Sequence, residues 1–317
     1  MINKIISNVF MGSFIESQIK KGAEFKKVIT PLETLKWLHM VHYSFPYLNI
    51  DYYGLGADSN EKLAYIKAVV EFYERKAFFD IGIIRGFSST NGIAGHRFHF
   101  LAQKAAIAEI YERDSFLCHW YSQIPFLKIV NEDSKIELVI KELSDLKIKT
   151  LFRITFLGHQ KTVACFLVNE ETGGFALGLS NNQFDLFKAF SEAIINYFLG
   201  NQGENSSELL SDLHEKGLSS LKNHRTYWLH ENVIPEWILN DFSDLSIEVP
   251  KLLSPKVMNH FNSKTGPICI SGVQLSEVFT LKMGFPCKDD IDLLRLKTGR
   301  DMTEQYNNNE VIPHPIP

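Results

Sequence analysis

At 317 residues, with 45% hydrophobic and 22% charged residues, the chain can bury a substantial core without disulfide or metal staples. Its net charge of -4 carries no polyanion-binding signature, which argues against nucleic acid as the main partner. Cys118, Cys165, Cys269 and Cys287 lie far apart with no C-x-x-C pair, so neither a zinc site nor a disulfide framework is expected, and a reducing cytoplasm suits them.

At the N-terminus, Lys4 precedes a mildly apolar stretch that Ser7, Asn8, Ser13 and Glu16 interrupt, so no signal peptide is expected. No stretch approaches the roughly 18 apolar residues of a membrane span, and a soluble protein with no membrane partner is expected. Gly54, Gly56 and the run Asp58-Ser59-Asn60 lead into a helix predicted over 61–79, for which Asp, Ser or Asn supplies the N-cap. Apolar residues at helical spacing predict further helices over 101–121 and 183–199. Between these, 151–156 and 162–168 read as strands with His159-Gln160-Lys161 near their turn. Residues 201–207 read as a loop, and 268–270 with 278–285 as another strand pair before a polar, Asn-rich stretch. The expected class is mixed α/β (α+β), with residues 1–317 forming a single domain.

An internal echo marks the first two helices. Ala68 to Phe79 reads AVVEFYERKAFF and Ala106 to Leu117 reads AIAEIYERDSFL, with Glu71 and Glu109 38 positions apart. Residues at i and i+3 share a helix face, so Glu71 pairs with Glu74 and Glu109 with Glu112. On one helix, E-x-x-E-R ordinarily forms a solvated face with intrahelical ion pairs. Two such pairs facing each other within apolar flanks would repel unless cations neutralised them, and magnesium is the natural hard cation for an oxygen-only site. Arg75 and Arg113 add positive charge beside the pairs. A dimetal carboxylate bundle would use Glu-x-x-His, and neither motif supplies that His. His96 and His99 have metal spacing but lack further ligands, Cys118 reads as a small buried hydrophobe, and Trp120 reads as core or interface.

No Walker loop and no G-x-G-x-x-G fingerprint occurs, so a nucleotide site must be built another way. Ser89-Thr90-Asn91-Gly92-Ile93-Ala94-Gly95, followed by AAIAEIYERD, resembles the YcaO family's S-N-G-x-A-x-G and its A-L-x-E-x-x-E-R-D helix. Gly54-Leu55-Gly56 with AVVEFYER is similar to that family's first such helix, and Gly178-Leu179-Ser180 with KAFSEA resembles its later A-L-x-E helix. The resemblance covers most of the chain and implies glutamate-bearing helices packed against mixed or antiparallel sheet. By that resemblance, Lys67, Glu71, Glu74, Asn91, Glu109, Glu112, Arg113 and Glu192 bind nucleotide, and Glu71, Glu74, Glu109 and Glu112 hold magnesium. Departures are Lys67, where the family often has Ser, Ile195 and Tyr197, where it often has Gln and Arg, and the short segment between the two motifs.

The chain ends Pro313-His314-Pro315-Ile316-Pro317, a P-x-P-x-P pattern that by itself reads as a polyproline II tail or an SH3-type ligand. Beside the helix motifs it resembles the tail of azoline-forming cyclodehydratases, which implies a catalytic positioning role for Pro313, Pro315 and Pro317. ITFLGHQKTVACFLV likewise resembles a strand pair of microcin-type azole synthetase components. The chemistry implied is ATP- and Mg2+-dependent formation of azolines from Cys, Ser or Thr of a ribosomal precursor peptide, as in bacteriocin biosynthesis. An E1-like leader-binding subunit and a flavin-dependent azoline dehydrogenase are the implied partners. A non-catalytic YcaO-like scaffold subunit and a thioamide-forming enzyme are the alternatives, and the proline pattern favours cyclisation over thioamide chemistry.

Overall fold

The computed structural model describes residues 2–45, 53–181, 185–200, 228–229, 234–240, 249–279, 286–308 and 314–316. Backbone packing divides the chain into two compact units. The first comprises Met1–Ile29, Lys36–Ile110 and Lys256–Ser276, and the second Thr30–Leu35, Tyr111–Pro255 and Glu277–Pro317.

In the first unit, Asn60 caps α2 (Glu61–Ala77) as the sequence predicts, its side chain accepting the Leu63 N–H at 3.2 Å. The helix ends in a π-turn over Phe78–Gly82. An antiparallel sheet of β1 (Glu24–Lys27), β2 (His39–Ser44) and β3 (Tyr53–Asp58) lies beside it, in that order. The two glycines before the helix serve packing. A Cβ on Gly54 would sit 1.8 Å from the Ala68 carbonyl oxygen, and one on Gly56 1.9 Å from that of Ala64, so only glycine lets α2 lie this close to β3. Ala64, Ala68, Val69 and Phe72 fill the interface with Val41, Tyr43 and Phe45, and burying a ring such as Phe72 contributes ~2–3 kcal/mol. The N-terminal α1 (Ile2–Lys20), which Ser7, Asn8 and Glu16 disguise in the sequence, packs Phe14 against Tyr73 at 5.6 Å and accepts the Tyr73 hydroxyl on Gln18 at 2.8 Å.

A second antiparallel sheet, ordered β4-β10-β9, joins β4 (Ile93–His96), β9 (Val257–Thr265) and β10 (Ile268–Leu275). Here the structure corrects the expected strand pair. The stretch beginning at Ile268 runs to Leu275, and its hairpin partner is Val257–Thr265 rather than 278–285. Among the described residues, Val278 and Phe279 are not in a strand, and 280–285 lies outside them. The partner escapes a periodicity search because β9 buries only Phe261 and otherwise reads as polar loop. The two-residue turn Gly266-Pro267, with Gly266 at φ +56, is the signal that was there to be read.

α3 (His99–Ser122) contains the boundary between the units, with Glu109 in the first and Glu112 in the second. The second unit holds an antiparallel sheet ordered β5-β6-β7-β8, made of β5 (Leu127–Lys128), β6 (Ile148–Leu157), β7 (Gln160–Asn169) and β8 (Phe175–Ser180). The predicted β6–β7 hairpin is present, but its turn is Gly158-His159, with Gly158 at φ +58 and Leu157 facing Gln160. α5 (Leu186–Gly200) packs on β8 at Gly178, where a Cβ would lie 2.1 Å from the Ala189 carbonyl oxygen. The amphipathic α4 (Ser134–Asp145) is an unpredicted helix, capped by Asp133 and buried through Ile136, Val139 and Leu143. α6 (Glu236–Leu239), α7 (Lys288–Thr298) and α8 (Thr303–Asn307) complete the unit around a core of Phe116, Trp120, Phe126, Phe166 and Phe175. Among the described residues, no helix is long and apolar enough to cross a membrane.

Candidate functional site

The carboxylates singled out in the sequence fall into two groups, one in each unit. In the first, Glu71 and Glu74 lie on the face of α2 that turns towards β3 and β4. The Leu55 N–H donates to Glu71 Oε2 at 2.9 Å, and Arg75 Nη2 to Glu71 Oε1 at 2.7 Å. Arg75 sits over the Tyr53 ring at 4.6 Å, and His42 stacks on the same ring at 5.1 Å. Glu71 is thus held from two directions by a strand amide and an intrahelical ion pair, the arrangement ordinarily expected of E-x-x-E-R.

Glu74 is placed differently. Its Oε1 accepts the Gly95 N–H of β4, and a Cβ at Gly95 would meet Val70 Cγ1 at 2.6 Å and Glu74 Oε1 at 3.3 Å. Glycine at position 95 therefore admits the carboxyl. Burial pushes Glu74 from 4.5 up to about 8, with the charges of Glu109 and Glu71 adding to the rise while the Gly95 N–H and Arg75 oppose it. Without a cation, this carboxyl is largely protonated at neutral pH. A cation beside it would displace the proton and relieve the repulsion from Glu109.

Asn91 precedes Gly92, whose φ is +81 and whose carbonyl accepts the Val273 N–H at 2.8 Å. The Asn91 N–H donates to Ser89 Oγ at 3.3 Å, while the buried Asn91 Oδ1 has no hydrogen-bond partner among the described residues. Lys67 is engaged elsewhere: its Nζ donates to the Ala57 carbonyl at 2.9 Å and pairs with Asp58 at 2.8 Å, holding the end of β3.

In the second unit, α3 and α5 bring together Glu112, Arg113, Lys188 and Glu192. Lys188 Nζ donates to Glu112 Oε2 at 2.9 Å, and Arg113 approaches Glu112 Oε1 at 3.9 Å and Glu192 Oε1 at 3.5 Å. The Leu179 N–H donates to Glu192 Oε2 at 3.2 Å. Burial alone would raise Glu112, but Lys188 and Arg113 outweigh it and hold the carboxyl below its ordinary value. Burial raises Glu192, against the pull of Arg113 and Lys188. Two carboxylates and two cations make this group self-neutralising. Lys188 was missed in the sequence, although its place four residues before Glu192 on one helix is the signal that finds it.

Among the described residues, no three His, Cys, Asp or Glu side chains converge as a metal site made by protein alone. Magnesium does not require one, since it is commonly bound through one or two carboxylates together with substrate phosphates and water. The Glu74–Glu109 neighbourhood, with a carboxyl forced neutral in the absence of positive charge, fits that mode.

Of the tail, Pro313 and Pro317 lie outside the described residues. His314, Pro315 and Ile316 are buried in the second unit, where Trp228 Nε1 donates to the His314 carbonyl at 3.1 Å and Ile316 joins the core. This segment is anchored and does not match a freely exposed SH3-type ligand. Ile195 and Tyr197, at the positions where the family often has Gln and Arg, are buried packing residues, and Tyr197 accepts from Asn169 at 3.4 Å. Cys118 is buried and its thiol is pushed well above its ordinary value, which leaves it inert as a nucleophile. Trp120 is core, edge-on to Trp228 at 5.4 Å.

Three solved structures share this arrangement of elements. YcaO from Methanopyrus kandleri, bound with AMPPCP and Mg2+, matches with a TM-score of 0.55 at 13% identity over 87% of this chain and 90% of that one. The chain has the YcaO fold. A heterocyclase in complex with substrate and cofactor matches with a TM-score of 0.54 at 10% identity, over 82% of this chain and 50% of that one. A chain of the E. coli microcin synthetase McbBCD complex with pro-MccB17 bound matches with a TM-score of 0.50 at 13% identity, over 81% and 88%. No family model matches the sequence, and no curated protein matches it either. At such identities the likeness to other YcaO folds speaks to architecture, and the chemistry rests on the side chains described above.

Proposed function

We propose that this YcaO-fold protein is an ATP- and Mg2+-dependent cyclodehydratase component that forms azolines from Cys, Ser or Thr of a ribosomal precursor peptide. The observation that carries the reading is Glu74, a carboxyl pushed up to about 8 beside Glu109, with the unpartnered Oδ1 of Asn91 in the same unit. The Cys, Ser or Thr side chain would attack the preceding peptide carbonyl, ATP when bound would supply a phosphoryl group to the resulting oxyanion with release of ADP, and loss of phosphate and the amide proton would leave the azoline ring.

The chain's own residues then have distinct tasks. Glu74 and Glu109 offer the carboxylate oxygens for magnesium. Glu71, tied to Arg75 and Leu55, is less available as a ligand. Asn91 supplies a hydrogen-bonding oxygen beside the glycines that let backbone come close. In the second unit, Arg113 and Lys188 are positive charges of the kind that phosphate oxygens require, shared there with Glu112 and Glu192. The peptide substrate and an E1-like presenting subunit are what the resemblance implies, and one similar fold belongs to a synthetase complex with pro-MccB17 bound.

A second reading has its own observation. The Glu112, Arg113, Lys188 and Glu192 group is already neutral, and Lys67, Ile195 and Tyr197 serve packing or ion pairing, which favours a non-catalytic scaffold subunit. Glu109→Gln and Glu112→Gln separate the two readings. Each is expected to remove ATP turnover by the assembled complex, Glu109→Gln with the melting temperature retained and Glu112→Gln with a lowered one because it leaves Lys188 without its buried partner, and unchanged turnover in both would favour the scaffold.

A further inference from the structure

We propose that the free edge of β9 is a docking site for an extended, acidic peptide segment, which adds to the β4-β10-β9 sheet as a fourth strand. The inference rests on the peptide-substrate reading and names where such a peptide would be held away from the carboxylates.

The hairpin turn fixes which backbone groups face outward. Because Thr265 and Ile268 close a two-residue turn, they form a hydrogen-bonded pair, and so do Ser263 with Ile270, Phe261 with Gly272 and Asn259 with Gln274. The backbone of His260, Asn262 and Lys264 is therefore directed away from β10, towards the edge, up to the register shift at Met258. The Val273 N–H confirms the phase, since it turns from β9 to the Gly92 carbonyl on the other side. Among the described residues, the outward N–H of His260 reaches only the Asn259 side chain at 2.8 Å, and those of Asn262 and Lys264 have no partner. An unpaired edge of this length is a template for another strand.

Charge selects the occupant. The hairpin of β9 and β10 with Lys256 before it carries Lys256 and Lys264 and no Asp or Glu, with Glu277 just beyond it. Arg85 is held at this edge, since Asn259 Nδ2 donates to its carbonyl and Gln274 Nε2 donates to that of Gly86 at 2.9 Å. In a chain of net charge -4, the β9 edge, with Lys256, Lys264 and the Arg85 segment beside it, has a local excess of positive charge. Met258, 72% exposed, and Val257, 56% exposed, add apolar contact beside it. A peptide of alternating acidic and β-branched residues matches the edge in hydrogen bonding, charge and side-chain period.

The test uses the full-length chain and a fluorescently labelled eight-residue peptide of alternating Glu and Thr, read by anisotropy. Saturable binding is expected at low salt, weakened about tenfold by Lys256→Glu with Lys264→Glu, and abolished when alternate peptide residues are N-methylated in either register. N-methylation leaves the protein untouched, so the result does not depend on how a variant folds. Equal binding of a Lys-Thr peptide, insensitivity to N-methylation, or no binding would overturn the proposal. So would concentration-dependent dimerisation, lost in Asn262→Pro, that the Glu-Thr peptide does not compete with, because the edge would then pair with a second copy. Nucleotide titration of the same Lys256→Glu, Lys264→Glu variant is expected to match the unmodified chain. Failure of the docking proposal is thereby distinguishable from failure of the ATP reading.

Discussion

Replacing Glu74 by Gln should change the pH dependence of stability in a direction that the structure fixes. Burial and the neighbouring Glu109 and Glu71 carry the Glu74 carboxyl from 4.5 to about 8 in the folded protein. The folded value lies above the unfolded one, so the stability linked to this proton is full below pH 4.5 and is lost as the pH rises through about 8. The gap corresponds to about 5 kcal/mol as an upper bound, at about 1.4 kcal/mol per pH unit. Gln can still accept the Gly95 N–H but cannot ionise, so Glu74→Gln should keep at about pH 8.5 the stability that the unmodified protein loses. Denaturant unfolding of both proteins at about pH 5 and about pH 8.5 reads the difference. Near-equal stability is expected at the lower pH, and a variant more stable by a few kcal/mol at the higher one. Magnesium with a non-hydrolysable ATP analogue should stabilise the unmodified protein at about pH 8.5 and Glu74→Gln much less. Parallel pH profiles for the two proteins would refute the placement of Glu74 in a buried position beside Glu109 and Glu71.

His119 makes the opposite prediction. It is buried, accepts the Phe156 N–H at 3.1 Å and shares Pro125 O at 3.3 Å, and burial lowers it from 6.5 to about 4. Its contribution is therefore present above pH 6.5 and lost as the pH falls through about 4, so His119→Gln should flatten the acid limb of a stability profile. Gly54→Ala should cost more than about 3 kcal/mol in chemical denaturation because its Cβ meets the Ala68 carbonyl at 1.8 Å, whereas Gly12→Ala, with nothing within 4 Å, should be neutral or stabilising. Deleting 313–317 should abolish ring formation by the purified complex, measured by mass spectrometry as water loss, while nucleotide binding survives. Since Ile316 is core, the deletion should also cost roughly 2–5 kcal/mol, and Ile316→Ala controls for that loss with the prolines in place.

The elements that periodicity and caps specify were legible in the sequence. α2, α3, α5 and the β6–β7 hairpin announce themselves through apolar spacing, the Asn60 cap and alternating strands. β9 was not legible, because an edge strand with one buried residue has no apolar alternation to show. α1 was hidden by the polar residues spaced along it, whereas α4 carried legible signals that went unread, the Asp133 cap and Ile136, Val139 and Leu143 at helical spacing. At the candidate site, the E-x-x-E-R echo pointed to the carboxylates but not to their inequality. Glu71 and Glu74 look alike in sequence, and only the Leu55 N–H, Arg75 and the closeness of Glu109 separate a tethered carboxylate from one forced neutral. Lys188 became visible as a partner of Glu112 because tertiary packing joins residues 76 positions apart.

The central claim, magnesium-dependent nucleotide binding through Glu74 and Glu109, is tested most directly by calorimetric titration of the full chain with a non-hydrolysable ATP analogue. Saturable binding is expected with magnesium and none with chelator, and it should be lost in Glu109→Gln at unchanged melting temperature. Between pH 4.5 and about 8 it should proceed with net proton release, because the cation displaces the Glu74 proton, and the release should fall away above about 8. Absence of binding by the well-folded protein, with magnesium and its partner subunit present, would contradict the account, as would binding that magnesium does not influence.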